Sequence, residues 1–209
     1  MSTTPFRIVV LASTNGTDLQ AIIDEMKAGT MPGIELAAVV SNKKNCYALA
    51  RARAQGYKTI HVSQTDPKTH EPRTREEFDA QLITSIEPLK PSLIVLVGYM
   101  RILTPAFVEH FAKQNISIIN IHPSLIPKFS GAAFFGRSVH EAVLAAKETE
   151  TGMTIHRVDS GVDTGEILLQ KSVPISPDDT PDTLKIKVQA LEKQYYPEVI
   201  RQLAVSQKS

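Results

Sequence analysis

The chain has 209 residues, 42% of them apolar and 22% charged, which is material for one good-sized core, so a single globular domain over 1–209 is expected. Lys and Arg total 23 against 22 Asp and Glu, and the charges are dispersed, leaving no basic stripe for a nucleic-acid partner and no acidic tail. A lone cysteine, Cys46, excludes an intramolecular disulfide and a multi-cysteine metal site, and neither a signal-like start over 1–5 nor an apolar run of membrane-spanning length is present, which points to a cytoplasmic protein without a membrane partner.

Residues 7–12 (RIVVLA) read as a first buried strand, and 18–27 carries Leu19, Ile22, Ile23 and Met26 at helical spacing. A second strand over 34–41, a helix over 47–55 stopped by Gly56, and a third strand over 58–62 follow, then a polar loop over 64–72. A helix from about 74 to 89 leads into the apolar run 93–97, and Pro105 opens a short helix over 105–111. The run 117–121 is a fifth strand. Beyond Ser138 the pattern predicts a helix to about 147, strands over 153–158 and 167–173, and a long closing helix capped by Thr180 with Pro181 at its first position. Leu184, Val188, Leu191, Tyr195, Val199 and Leu203 are its predicted buried stripe. Continuous apolar strands separated by helices give the α/β class, a doubly wound, mostly parallel sheet whose ligands lie beyond the carboxyl ends of the strands.

Three of those strand ends carry candidate chemistry. The fifth strand runs into Asn120-Ile121-His122-Pro123, and residues two apart in extended chain point the same way. An uncharged amide donor beside a titratable imidazole suits acyl transfer, one holding a developing oxyanion while the other moves a proton. The first strand opens into Ser13-Thr14-Asn15-Gly16-Thr17-Asp18, where a Gly and the amides of a helix N-terminus form a natural phosphate site, although Asp18 also reads as a plain helix N-cap. The loop lacks the glycines of a dinucleotide fingerprint and the Gly-Lys of a P-loop. Asp159 and Asp163, in a Gly-flanked turn between the last two strands, are equal candidates for a carboxylate that orients His122.

Six pieces carry a resemblance over nearly the whole chain: RIVVLAS-NG-DLQAIID at 7–24, SNK at 41–43, TREEFD at 74–79, GYMRILTPAFV at 98–108, NIHPSLIPKF at 120–129 and DTGEILLQ at 163–170. In order and spacing they resemble the formyltransferases that use 10-formyltetrahydrofolate, most closely the glycinamide ribonucleotide formyltransferases of purine synthesis. The resemblance implies a Rossmann-like formyltransferase fold with an antiparallel C-terminal strand region, its substrate-binding half at about 1–100 and its folate-binding, catalytic half at about 98–209. It places Asn120, His122 and Asp163 on the family's catalytic triad, and thereby favours Asp163 over Asp159: a substrate amine attacks the formyl carbon directly, amide and imidazole stabilise the oxyanion, and the carboxylate assists proton transfer through water. Neither a metal nor a covalent enzyme intermediate is implied. Asn15, Gly16, Thr17 and Asp18 match the substrate-phosphate loop and Glu192 the carboxylate that binds ribose. Met100, Arg101, Ile102 and Leu103, with the loop containing Asp159 and Val162, match the walls of the folate site, and Arg75 matches a basic residue near the ligands.

Two departures stand out. Thr14 and Asp18 replace a Gly and an Asn of the family's phosphate loop, and a carboxylate facing a phosphate repels it unless turned away. The segment Gly131–Arg137 replaces a shorter His-containing one and is similar to the corresponding piece of methionyl-tRNA formyltransferase, with Phe134 and Phe135 as lid or core. That enzyme carries an additional RNA-contacting domain and a more basic surface, and formyltetrahydrofolate hydrolase an N-terminal regulatory domain for which 1–6 leaves no room. The expectation is a monomer or homodimer acting on small molecules. Formyl transfer to another amine, such as an amino-sugar nucleotide, or donor hydrolysis, is the alternative.

Overall fold

Alternation of apolar strands with helices is realised in the computed structural model, which describes residues 4–207; the outermost residues of the 1–209 assignment and of the 1–5 segment lie outside the described residues. The elements are β1 (Phe6–Ala12), α1 (Thr17–Lys27), β2 (Ile34–Ser41), α2 (Tyr47–Ala54), β3 (Thr59–His61), α3 (Arg75–Ile86) with a 3-10 turn at Glu87–Leu89, β4 (Leu93–Val97), α4 (Pro105–Ala112), β5 (Ser117–His122), α5 (Arg137–Ala145), β6 (Glu150–Arg157), β7 (Ile167–Pro174) and α6 (Pro181–Ser206). The strands form one seven-stranded sheet in the order β3-β2-β1-β4-β5-β6-β7. β1 pairs in parallel with β2 and β4, β2 in parallel with β3, and β6 antiparallel with β7. The sheet is thus mostly parallel with an antiparallel C-terminal pair.

The chain divides into two compact units, the first running to Ile119 and the second from Asn120. In the first unit β1 and β4 lie side by side with their crossovers leaving in opposite directions, the topological switch point at which open α/β sheets bind ligands. The loops that follow these two strands are joined there: Ser13 N–H donates to the Gly98 carbonyl at 3.3 Å, and Met100 N–H to the Ser13 hydroxyl at 3.1 Å. Ile8, Val9, Val10 and Leu11 are fully buried, as a strand covered on both faces requires.

Beyond the end of β5, the second unit has the β6–β7 pair with α6 against it and α5 against α6. α6 starts as expected, Thr180 accepting from Thr183 N–H in a capping box and Pro181 following. Its buried stripe differs: Leu184, Val188, Glu192, Tyr196, Ile200 and Ala204 form a row with a strict four-residue step, joined by Pro197 and Val199, while Leu191, Tyr195 and Leu203 are only half-buried. The expected stripe followed apolar residues, but the strict i, i+4 row that is covered winds around a 3.6-residue helix and includes a carboxylate, Glu192. β3 is shorter than expected, and α3 gives way to the 3-10 turn where Pro88 lacks the N–H of the next helical bond.

Candidate active site

β5 continues one residue further than its apolar run, so His122 is its last residue before Pro123 ends the extended chain. With Ile121 turned to the other face, Asn120 and His122 share a side, Asn120 half-buried and His122 buried. The His122 ring is held at one nitrogen and faces a carboxylate with the other. Nε2 lies 2.7 Å from the Phe129 carbonyl, which only accepts, so the ring proton sits on Nε2; Nδ1 lies 3.4 Å from Asp163 Oδ2. Asp163 stands in a turn at φ 58, a left-handed conformation that Asp tolerates better than most residues, and its Oδ2 accepts from Gly131 N–H at 2.9 Å.

A second imidazole completes the cluster. His156, near the end of β6, donates from Nδ1 to the Arg157 carbonyl at 2.8 Å, which leaves the lone pair on Nε2. That nitrogen accepts from Asn120 Nδ2 at 3.2 Å and lies 3.4 Å from Asp163 Oδ1. The amide of Asn120 is therefore oriented, with one Nδ2 hydrogen engaged and the other unassigned by these bonds. Burial drives the His122 pKa below the usual imidazole range, reinforced by His156 and opposed by Asp163 and the Phe129 carbonyl. Burial alone would raise Asp163, but the His156 and His122 rings in their proton-bearing forms, together with the Gly131 amide, hold its carboxyl below the usual carboxylate range. The result is a neutral imidazole next to an ionised carboxylate.

Asp159 is elsewhere: its Oδ1 accepts from Gly161 N–H at 3.0 Å and from the Thr164 hydroxyl at 2.7 Å, closing its own turn, with Val162 half-buried in the same loop. Residue chemistry left the two aspartates equal; the chain path brings Asp163 to His122. His156 escaped the sequence reading. β6 is buried almost throughout, so no alternation marks its functional face, and the only cue was a histidine near a strand end, the cue that drew attention to His122. Phe134 packs edge-on against Phe129, ring centroids 6.1 Å apart, while Phe135 is exposed.

In the first unit, Asn15 is in the loop after β1 and Gly16, at φ 66, is the N-cap of α1 with no side-chain cap bond. Asp18 is therefore not the N-cap; it is the second residue of α1 and only 7% exposed, in the first turn where the helix dipole favours a carboxylate. Thr17 begins the helix because glycine supplies the left-handed entry that a side chain would resist. Arg75 opens α3 and its Nη2 donates to the carbonyls of Ile102 at 3.1 Å and Leu103 at 3.4 Å, so it tethers the segment after β4. Along that segment Met100 and Ile102 are half-exposed, Leu103 is buried, and Arg101 stacks 4.2 Å over the Phe78 ring while donating to Gln64 Oε1 at 2.8 Å. In the second unit, Glu192 lies buried on α6. Among the described residues no group of three or more His, Cys, Asp or Glu is placed to hold a metal ion, and no helix is long and apolar enough to cross a membrane.

The formyl transferase family matches residues 6–200. Phosphoribosylglycinamide formyltransferase of Escherichia coli (strain K12) is 40% identical over 195 residues, covering 92% of this chain and 84% of that protein. The enzyme of the same name from Schizosaccharomyces pombe is 36% identical, covering 96% of this chain and 98% of its own. Among solved structures, phosphoribosylglycinamide formyltransferase from Coxiella burnetii superposes with a TM-score of 0.83 at 42% identity over 97% of this chain and 88% of that one. Glycinamide ribonucleotide transformylase 1 from Symbiobacterium toebii gives 0.85 at 36% identity, over 98% and 90%. With its sheet order, the imidazole and amide that close β5, and a match spanning almost its entire length, the chain belongs to the formyl transferase family.

Proposed function

We propose that this protein is a phosphoribosylglycinamide formyltransferase, moving the formyl group of 10-formyltetrahydrofolate to the primary amine of glycinamide ribonucleotide in purine biosynthesis. The observation that carries the chemistry is the placement of Asn120, His122 and Asp163 in one cluster of the second unit. When the amine nitrogen adds to the formyl carbon, the carbonyl π pair becomes an oxyanion and the nitrogen acquires a positive charge. Asn120 donates the Nδ2 hydrogen not engaged by His156 to that oxyanion. His122 accepts the excess amine proton at Nδ1, directly or through water, because its other nitrogen is held protonated by the Phe129 carbonyl and Asp163 pairs with the cation as it forms. The imidazolium then adds its charge to the oxyanion's stabilisation. On collapse the bond from carbon to N10 breaks and the same proton passes to N10, so none is gained or lost overall.

The remaining assignments follow the family resemblance. By it the loop from Asn15 to Asp18 is assigned to the phosphate and Glu192 to the ribose hydroxyls; the segment from Met100 to Leu103, held in shape by Arg75, and the loop of Asp159 and Val162 are each assigned to the donor's pterin. The half-exposed apolar side chains of Met100 and Ile102 suit a flat heteroaromatic ring that also hydrogen-bonds along its edge. The protein acts on small molecules in the cytoplasm, as monomer or homodimer, without nucleic acid, membrane or metal. Mixing it with a 10-formylfolate donor and following donor absorbance, with glycinamide ribonucleotide, an amino-sugar nucleotide, or no acceptor, tests this directly. Turnover that depends on glycinamide ribonucleotide is expected. Turnover with the sugar nucleotide alone, or acceptor-independent donor loss, overturns the acceptor assignment while keeping the formyl chemistry.

A further inference from the structure

Three consecutive carbonyls of the loop after β1 are each pinned by a donor from the neighbouring helices. Ala48 N–H donates to Thr14 O at 3.2 Å, Arg51 Nε to Asn15 O at 2.8 Å, and Gln20 N–H to Gly16 O at 3.1 Å. A trans peptide is planar, with its N–H directed opposite to its carbonyl. Fixing these three carbonyls therefore fixes the amides of Asn15, Gly16 and Thr17, each facing away from the donor that holds the carbonyl before it. Successive amides presented in this way form a concave anion nest. Two of the three donors are main-chain groups that any sequence would supply. The middle one is the side chain of Arg51.

Arg51 is itself braced. Its Nη1 donates to Gln20 Oε1 at 3.3 Å, and its guanidinium carbon lies 5.2 Å from the centroid of the exposed Tyr47 ring. Space is equally constrained on the loop side: a Cβ added to Gly16 would come within 2.8 Å of Ala48 Cβ, so α2 and the loop are in backbone contact. We infer that Arg51 is a positioning residue for the substrate phosphate, acting through the Asn15–Gly16 peptide that it holds. This rests on the reading that the 14–17 loop takes the phosphate. Without the Arg51 donor, the peptide is free to rotate and to present the Asn15 carbonyl, an acceptor, where the Gly16 amide should meet the anion.

The test is steady-state kinetics on full-length Arg51→Met and Arg51→Lys against wild type, varying glycinamide ribonucleotide and the formyl donor separately at low and high salt. Arg51→Met is expected to raise KM for the nucleotide about tenfold, with kcat and the donor KM changing less than about twofold. The effect persists at high salt, because it comes from a short hydrogen bond and not from a long-range charge. Arg51→Lys, which keeps the charge and one donor but not the planar fork, gives an intermediate KM. An unchanged nucleotide KM in Arg51→Met, a rise that salt abolishes, or an equal rise for the donor overturns the inference. Should Arg51→Met lack a cooperative melt, Arg51→Lys alone decides: a nucleotide-specific rise supports the tether and a wild-type KM overturns it. A wild-type protein that does not use glycinamide ribonucleotide defeats the functional reading itself, an outcome separate from any of these.

Discussion

His122 faces acceptors on both ring nitrogens, and their unequal strength decides its role. The Phe129 carbonyl keeps the proton on Nε2, so Nδ1 carries the lone pair and meets the Asp163 carboxylate at 3.4 Å, a contact that becomes attractive only when Nδ1 gains a proton. Asp163→Asn isolates this effect. Asn tolerates the same left-handed backbone and its amide oxygen can still accept from Gly131 N–H, but it cannot pair with a cation. We expect kcat to fall about 100-fold or more, the usual consequence of losing such a group. Asp163 is also what opposes burial in setting the His122 pKa, so its removal lowers that pKa further and moves the acid limb of the kcat profile, where His122 becomes protonated, to lower pH. Donor absorbance followed across pH checks both; a kcat within about twofold of wild type would falsify the role of the pair. Asn120 and His122 were legible in the sequence because strand geometry fixes the direction of residues two apart. Asp163 and Asp159 were not separable from their chemistry, since what distinguishes them is a turn whose backbone engages one carboxylate locally and points the other at His122. His156 depends on strand pairing and on the Arg157 carbonyl, neither of which has a local signature.

Between β6 and β7 the sequence pattern was a weaker guide than the ladder. Gly152 looks like a strand breaker, and the expected strand began after it, yet β6 starts at Glu150 and Gly152 pairs with Ser172. Pairing overrides propensity here because the backbone comes too close for a side chain. A Cβ on Gly152 would lie 2.0 Å from the Lys171 carbonyl oxygen and 2.8 Å from Leu125 Cδ2, and a strand carbonyl cannot move aside as a flexible side chain can. Gly152→Ala is expected to destabilise the fold by about 1–3 kcal/mol, which lowers the melting temperature by roughly 2–4 °C per kcal/mol in a chain of this size. Differential scanning calorimetry reads this directly, and an unchanged melt would show that the strand relaxes without cost. The same gap between pattern and packing appears in α6. Its caps were legible because capping is local chemistry, whereas its covered face depends on what lies across from it and so admitted Glu192 in place of the neighbouring Leu191.

At the scale of the molecule, alternating apolar strands and helices announced a doubly wound sheet, and length and spacing sufficed because each βα unit carries its own periodicity. The lateral order of the strands and the protonation behaviour of the buried interior are collective properties without that signature. His140 shows the consequence. On α5, 2% exposed and with no hydrogen-bond partner for its Nδ1, it has a pKa lowered from 6.5 to about 4, first by burial and then by Lys185 and His122, with Asp182 opposing. Between those two values the unfolded chain binds a proton that the folded protein refuses, so stability is greatest above pH 6.5 and declines as pH falls toward 4. His122, shifted the same way, adds to the slope. Asp179 contributes in a separate window: the Lys187 ammonium and the Ser176 amide lower its carboxyl from 3.8 to about 2, so its stabilisation is lost only on acidification below 3.8. Wild-type protein is therefore expected to melt at a lower temperature at pH 5 than at pH 7, with His140 accounting for about 2 kcal/mol of the difference, or roughly 4–8 °C. His140→Leu, which fills the site without a titrating group, should remove that part of the difference whatever it does to the melting temperature at pH 7. Calorimetric scans of both proteins at the two pH values decide it: an equal drop in each would mean that His140 is solvated or paired on protonation and that the acid sensitivity of the fold resides elsewhere.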